Sequence, residues 1–363
     1  MKVLFQLNHP AHYHLVKNAI KNLKMAGHEV HILARGKDVL KDLLIGETYT
    51  MLPTGKGSNI FKKIVKMRKV KEEILSFSIN YKADLVVGTG TFSYITRKLK
   101  TPTVFLAEDD ANLNLPIFIG ALTCYPSFSE ILTPQICDNS IWNRKSIKYN
   151  SYHELAYLHP NHFQPDKGIV EKYFSTTLPY FIIRFAQLNA YHDIGIKGIS
   201  TEIAQRLIDI LKPHGRVYIT SERQLEPQFE QYRIKINPVD MHHVMAFADL
   251  YIGDSQTMAA EAGVLGVPFV RFNDFVGRIG YLRELEDHYQ LGYGIKTSQV
   301  ERLYKVVEDL VKMPDRKAVY ETRRQKMLSE KIDYARFLTW FIENYPESNQ
   351  IMKETPDYQY RFK

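Results

Sequence analysis

The sequence predicts a two-domain α/β protein built on parallel sheets. Three observations carry that expectation. Short apolar runs alternate with helix-period segments along most of the chain, the alternation starts afresh near Tyr180, and 363 residues exceed what one ordinary core organises.

In the first half, Lys2–Leu7 is a near-continuous apolar run and is predicted as a buried strand. Residues 15–26 follow at helical spacing and stop at Gly27, and Glu29–Ala34 is the next strand. Residues 85–87, Thr103–Leu106 and 130–132 are further strand candidates. In the second half, strands are predicted at 181–184, 217–220, 250–252 and Phe269–Phe272, with helices at Thr201–Leu211, 241–248, 257–265 and 299–311 between or after them. Residues 158–168, with Pro160 and Pro165, form the connection. Domains are therefore expected at 1–157 and 158–335, with a helix and tail at 336–363 that can cross back to the first domain. One long helix is expected over 323–343, its Phe337, Trp340 and Phe341 packing into a core.

Composition narrows the function classes. Hydrophobic content of 45% with 24% charged residues is that of a globular protein. Cys124 and Cys137 are too few for a disulfide framework, which makes a reducing compartment the expectation. The N-terminal run lacks a signal-peptide pattern, and no segment has the roughly 20 apolar residues of a membrane span. The expected location is cytoplasmic, extending to the inner face of the membrane. A net charge of +8 suits a polyanionic neighbour: nucleic acid, anionic lipid or a diphosphate. Nucleic acid is not expected, because no basic patch interleaved with aromatics occurs. Residues 60–74 alternate Lys62, Lys63, Lys66, Arg68, Lys69 and Lys71 with apolar residues. That spacing reads either as a helix with one core face and solvated lysines or as a surface for anionic lipid.

The sharpest chemical signal lies in the second half. Asp240-Met241-His242-His243 opens a helix, the strand 250–252 follows, and then comes Gly253-Asp254-Ser255-Gln256-Thr257-Met258-Ala259-Ala260-Glu261, closing in Gly266-Val267-Pro268. A strand that stops at a tight turn feeding a helix presents unpaired backbone N–H groups to an anion such as a diphosphate. Ser255 and Thr257 add hydroxyls, and Glu261 sits one turn further in, where it can accept from a ribose. The plainer reading is an N-cap by Asp254 or Ser255 and a solvent-exposed Glu261.

The first half offers Asn8-His9-Pro10-Ala11-His12-Tyr13-His14 as a loop at the carboxyl edge of the first strand. His12 can act as a base. Three histidines in six residues also suggest a metal, but no Cys or carboxylate joins them, so none is expected. The loop Gly88-Thr89-Gly90-Thr91 allows close backbone approach to a ligand. Glu108-Asp109-Asp110 follows the strand Thr103–Leu106, and Arg184 ends the first strand of the second half, with His192 in its loop. Arg184 reads either as a diphosphate contact or as a surface residue paired with an acid.

The Asp254, Ser255, Glu261, Gly266 and Pro268 pattern resembles the donor-site signature of GT-B glycosyltransferases and UDP-N-acetylglucosamine 2-epimerases. Over almost its whole length the chain further resembles the domain of unknown function 354 family, on Asn8–His12, Tyr152-His153-Glu154-Leu155-Ala156, Asp240–His243 and Gly253–Met258. The resemblance implies two facing Rossmann-like domains with parallel sheets and an interdomain cleft. It implies a nucleotide-sugar donor held by Asp240 and Met241 at the base, Glu261 at the ribose, and Ser255, Gln256, Thr257 and Arg184 at the diphosphate. Asp254 and His192 complete that set, His9, Gly88, Thr89 and Gly90 line the acceptor side, and His12 is the general base, with Glu108 helping to position the acceptor. The reaction expected is metal-independent transfer of a sugar, UDP-linked by resemblance, to a lipid-linked or saccharide acceptor of the cell envelope. No cofactor beyond the nucleotide-sugar substrate is implied. Two alternatives stand. One is an epimerase or hydrolase with Glu108 and His192 as its acid–base pair, although the loop at Gly88–Thr91 lacks the Asp that epimerases carry. The other is a non-catalytic binding protein.

Overall fold

The computed structural model describes residues 1–35, 38–52, 60–89, 92, 94–108, 110–186 and 198–363. The chain divides into two compact units. One comprises residues 1–157 and 332–363, and the other residues 158–331.

The first unit is built on seven parallel strands: β1 (Lys2–Leu7), β2 (Glu29–Ala34), β3 (Tyr49–Met51), β4 (Leu85–Gly88), β5 (Thr103–Leu106), β6 (Glu130–Pro134) and β7 (Ser146–Tyr149), in the order β3-β2-β1-β4-β5-β6-β7. The central strands are covered on both faces, which is why they read as unbroken apolar runs: Val3, Leu4, Phe5, Leu85, Val86 and Val87 are wholly buried. β3 and β7, the two edge strands, are short and partly polar, and periodicity alone does not reveal them. The order reverses between β1 and β4, so a crevice for ligands is expected at their carboxyl ends.

The helix expected from residue 15 begins earlier, at Pro10–Met25. Pro10 has no N–H to leave unsatisfied and a φ already suited to the first helical turn, and His9 caps that turn by accepting from the Ala11 amide at 3.2 Å. The stretch expected as a loop is therefore largely helix. Its inner face buries Leu15, Val16, Ala19, Ile20 and Leu23, and Gly27 at φ +84° ends it.

The second unit carries β8 (Tyr180–Phe185), β9 (Arg216–Ser221), β10 (Leu250–Gly253), β11 (Phe269–Phe272) and β12 (Gly292–Ile295), all parallel, in the order β12-β11-β10-β8-β9. β12, with two glycines in four residues, was not expected as a strand. Gly292 is there because a Cβ would stand 2.5 Å from the Phe269 ring.

One long helix over 323–343 does not form. Arg316–Glu330 ends, and Tyr334–Glu343 starts afresh with Asp333 as its cap, accepting from the Arg336 amide at 3.1 Å. The division between units falls in this break, after Lys331 instead of after residue 335. The second of these helices buries Tyr334, Phe337, Leu338, Phe341 and Ile342 in the first unit, and Asn22 donates to the Thr339 hydroxyl at 3.3 Å.

Gly88 pairs with Gln6 across the switch point. A Cβ on it would lie 2.3 Å from the Gln6 carbonyl oxygen, so this glycine permits strand packing, not only the ligand approach expected of it. Gly88→Ala should destabilise the protein by about 1–3 kcal/mol in urea melts; an unchanged midpoint would show that the sheet yields at no cost.

Candidate functional site

Each unit gathers candidate side chains at the carboxyl ends of its strands. In the second unit β10 ends at Gly253, and the helix Gln256–Val264 starts three residues later. Gly253 is required by crowding: a Cβ would stand 2.6 Å from the Tyr251 hydroxyl and 2.9 Å from the Arg184 Cβ. Ser255 caps the helix, accepting from the Met258 amide at 3.4 Å. No acid occupies the first turn, so the positive end of the helix dipole is unopposed by its own side chains, with Gln256 and Thr257 as its first residues.

Asp254 does something the sequence did not suggest. It is 1% exposed, and its two carboxylate oxygens accept the amide hydrogens of Ala186 at 2.6 Å and Ile199 at 3.2 Å. A Cβ on Gly198 would lie 2.3 Å from the same carboxylate. Burial pushes the Asp254 pKa up, and the two amides and the nearby Arg223 guanidinium draw it back. Asp254 thus braces the turn internally. Asn273, wholly buried, donates to the Asp254 carbonyl at 3.0 Å and adds a third tie.

Glu261 is 7% exposed, which removes the reading of a solvated helix residue. Its Oε1 lies 3.0 Å from His242 Nε2, so the helix Met241–Ala246 supplies a partner for the carboxylate. Asp240 ends the short turn before that helix and accepts from the Tyr173 hydroxyl at 2.6 Å; it does not cap the helix. Met241 beside it is half-buried. Arg184 donates to the Thr220 hydroxyl at 2.8 Å and pairs with Glu222, an acid whose side chain is half exposed. The alternative of a paired arginine is what the geometry displays. His192 lies outside the described residues, as do Gly90 and Asp109.

Two residues here were missed. Arg223 follows β9, stacks on Phe185 at 4.7 Å and donates to the Ile199 carbonyl at 2.7 Å, beside Asp254. Its position just past the end of β9 was the available signal. Arg271 is wholly buried in β11 and bonds Glu286 at 2.8 Å. A lone charge between apolar neighbours, Phe269-Val270-Arg271-Phe272, demands a buried partner, but the sequence does not say which.

In the first unit, β1, β4 and β5 direct His9, His12, Thr89 and Glu108 to the same sheet edge. His12 lies in the first turn of the helix Pro10–Met25. Its Nδ1 is 3.2 Å from the Asn8 amide nitrogen and 2.6 Å from the Thr89 hydroxyl. The His9 and His12 rings are 5.9 Å apart. Glu108 lies 3.3 Å from His153 Nδ1. His153 belongs to a stretch singled out by resemblance but had no role assigned. The geometry brings His9, His12, Thr89, Glu108 and His153 together in one unit, and Arg184, Ser255 and Glu261 around Tyr251 in the other, where Asp240 meets Tyr173 instead. Among the described residues, no group of three or more His, Cys, Asp or Glu side chains is arranged to hold a metal ion, and no helix is long and apolar enough to cross a membrane.

The family model described as protein of unknown function (DUF354) matches residues 1–275. The chain belongs to this family. A search of curated proteins finds no match. Among solved structures, the chain is similar to the UDP-GlcNAc 2-epimerase of Methanocaldococcus jannaschii at TM-score 0.61 and 14% identity, over 90% of this chain and 99% of that one. The UDP-GlcNAc 2-epimerase of Neisseria meningitidis bound to UDP-GlcNAc matches at 0.58 and 12%, over 91% and 99%. The spinosyn rhamnosyltransferase SpnG complexed with thymidine diphosphate matches at 0.62 and 14%, over 95% and 100%. The likeness is one of fold, the GT-B fold of these enzymes, with two parallel sheets and interspersed helices.

His12 gives the site a pH signature. Burial first, then the neighbouring His9 and His153, push its pKa from 6.5 down to about 3. Below pH 6.5 the unfolded chain takes up a proton that the folded chain refuses, so this group's contribution to stability falls as pH drops toward 3. Stability should therefore decline between pH 7 and 5 by up to about 1.4 kcal/mol per unit from this one proton. His12→Gln should flatten that part of the slope in urea melts; parallel slopes for the two proteins would contradict it.

Proposed function

We propose that the protein is a metal-independent glycosyltransferase that binds a nucleotide-sugar, most simply UDP-linked, in its second unit. The observation that carries this reading is Glu261, a buried carboxylate one turn inside a helix whose capped N-terminal turn directly follows β10. A carboxylate in that place has little reason to be there as a solubilising residue, and it suits a pair of ribose hydroxyls. The amides of Gln256 and Thr257 would meet the diphosphate, with the Ser255 hydroxyl beside them. Arg184 would exchange its exposed partner Glu222 for the diphosphate and offset the leaving group's charge. Asp240 and Met241 would flank the base. Asp254 holds the turn from behind and leaves the list of ligand contacts. The solved structures that share the fold support the reading, since one is bound to UDP-GlcNAc and another to thymidine diphosphate.

The acceptor belongs to the first unit, as a saccharide or a lipid-linked sugar of the cell envelope. An anionic membrane surface would meet residues 60–74. Within that stretch Val70 and Ile74 are buried in the core cluster, and the side chains of 60–69 lie outside the described residues. A second reading, epimerase or hydrolase chemistry, draws on one observation: the Glu108 carboxylate lies against an imidazole, that of His153. Incubation with UDP-GlcNAc alone separates the two. An epimer or free UDP formed without acceptor would favour the second.

A panel of nucleotides in thermal unfolding should show the largest rise with UDP; saturation at 100 times Kd corresponds to about 2.7 kcal/mol of added stability. No rise with any nucleoside diphosphate would remove the donor site. Glu261→Ala should weaken UDP binding by about 1–3 kcal/mol, and 2′-deoxy-UDP by less; equal losses for both ligands would take Glu261 off the ribose.

A further inference from the structure

We propose that His12 is held as a neutral imidazole with its proton on Nε2, that Thr89 is the positioning residue that keeps it so, and that His12 meets a bound ligand as a hydrogen-bond donor, not as a base. Two groups converge on Nδ1: the Asn8 amide at 3.2 Å and the Thr89 hydroxyl at 2.6 Å. The hydroxyl can donate or accept, but an amide N–H can only donate. A proton on Nδ1 would serve Thr89 alone and would point at the Asn8 hydrogen. The lone pair therefore stays on Nδ1, the Thr89 hydroxyl donates to it as well, and the ring proton goes to Nε2. A neutral imidazole has one lone pair, and here it is engaged within the fold. Taking a proton from an acceptor hydroxyl at Nε2 would require the tautomer to reverse against the Asn8 amide.

The surroundings act in the same direction. His12 lies in the first turn of the helix Pro10–Met25, whose positive end disfavours an imidazolium, and no acid occupies that turn. Among the described residues, the other titratable groups acting on it are His9 and His153. His9 uses its own Nδ1 to accept the Ala11 amide, so its proton also sits on Nε2. His153 is turned to Glu108, its Nδ1 3.3 Å from that carboxylate. The ligand group that suits an Nε2–H donor is an oxygen: a carbonyl, hydroxyl or phosphate oxygen. The consequence for catalysis rests on the transfer reading above; the tautomer does not. If His12 donates, the proton of an attacking hydroxyl leaves by another route, and the base role expected from family resemblance passes from it.

The test is nitrogen-15 NMR of the full-length protein with labelled histidine, without nucleotide or acceptor, so that it is independent of whether the transfer reading stands. His12→Gln assigns the resonance. In the wild type, His12 should show a pyridine-type Nδ1 and a pyrrole-type Nε2, unchanged from pH 8 to pH 5. Thr89→Val should move the signals toward a mixture of tautomers, and Thr89→Ser should restore them. A pyrrole-type Nδ1 in the wild type, or a titration midpoint near that of free histidine, would overturn the proposal. Unchanged signals in a folded Thr89→Val would overturn the role given to Thr89. Should Thr89→Val fail to fold, the wild-type spectrum and Thr89→Ser still decide the tautomer.

Discussion

The Asp254 carboxylate accepts amide hydrogens from Ala186 and Ile199, and through them ties the exit of β8 and the approach to the helix Thr201–Leu211 to the turn after β10. Burying a carboxylate is expensive, and two amide donors plus the nearby Arg223 charge offset that cost. Gly198 is part of the same arrangement, since any larger residue would collide with the carboxylate. The start of the helix Gln256–Val264 is held in place by this tie. The donor groups read from the sequence, Ser255, Gln256 and Thr257, acquire a fixed direction only because the residue before them is locked. A ligand site at a helix end needs such support: a misplacement of an ångström weakens every hydrogen bond it offers.

A second pattern recurs in this unit. Other buried carboxylates meet nitrogen side chains: Glu261 meets His242, Glu286 meets Arg271, and Asp249 meets Arg316 and Lys317. The Arg271–Glu286 pair lies within the sheet region, where losing either partner would leave an uncompensated charge. Glu261 differs in its place, one turn beyond a helix N-terminus that carries no acid in its first turn. Asp254 and Glu261 are seven positions apart; the first holds the backbone, and the second, paired with His242, is the one proposed to meet the ribose.

In the first unit, the chemistry depends on how a helix begins. Because Pro10 suits the first turn, the histidine-rich stretch becomes helix, and His12 is brought under the amide of Asn8 and beside Thr89. A histidine in a flexible loop would choose its tautomer from solvent. Here a backbone donor chooses it.

Much of this was legible in the chain itself. The central strands are covered on both faces and so appear as apolar runs, and the turn from Gly253 to Glu261 follows from a strand stop, a capping serine and helical spacing. β3, β7 and β12 escaped because edge strands and glycine-rich strands carry no strong period. The split at Asp333 escaped because apolar spacing runs across it, and only the cap marks the break. Local order could determine the periodicities, the caps and the positions of the candidate groups, since those depend on neighbours within a turn or two. Partners distant in sequence were decided by tertiary structure alone: Asp254 with Ala186 and Ile199, Glu261 with His242, His12 with Thr89. Those pairings depend on which strand ends the parallel sheets bring side by side, and no local signal encodes that.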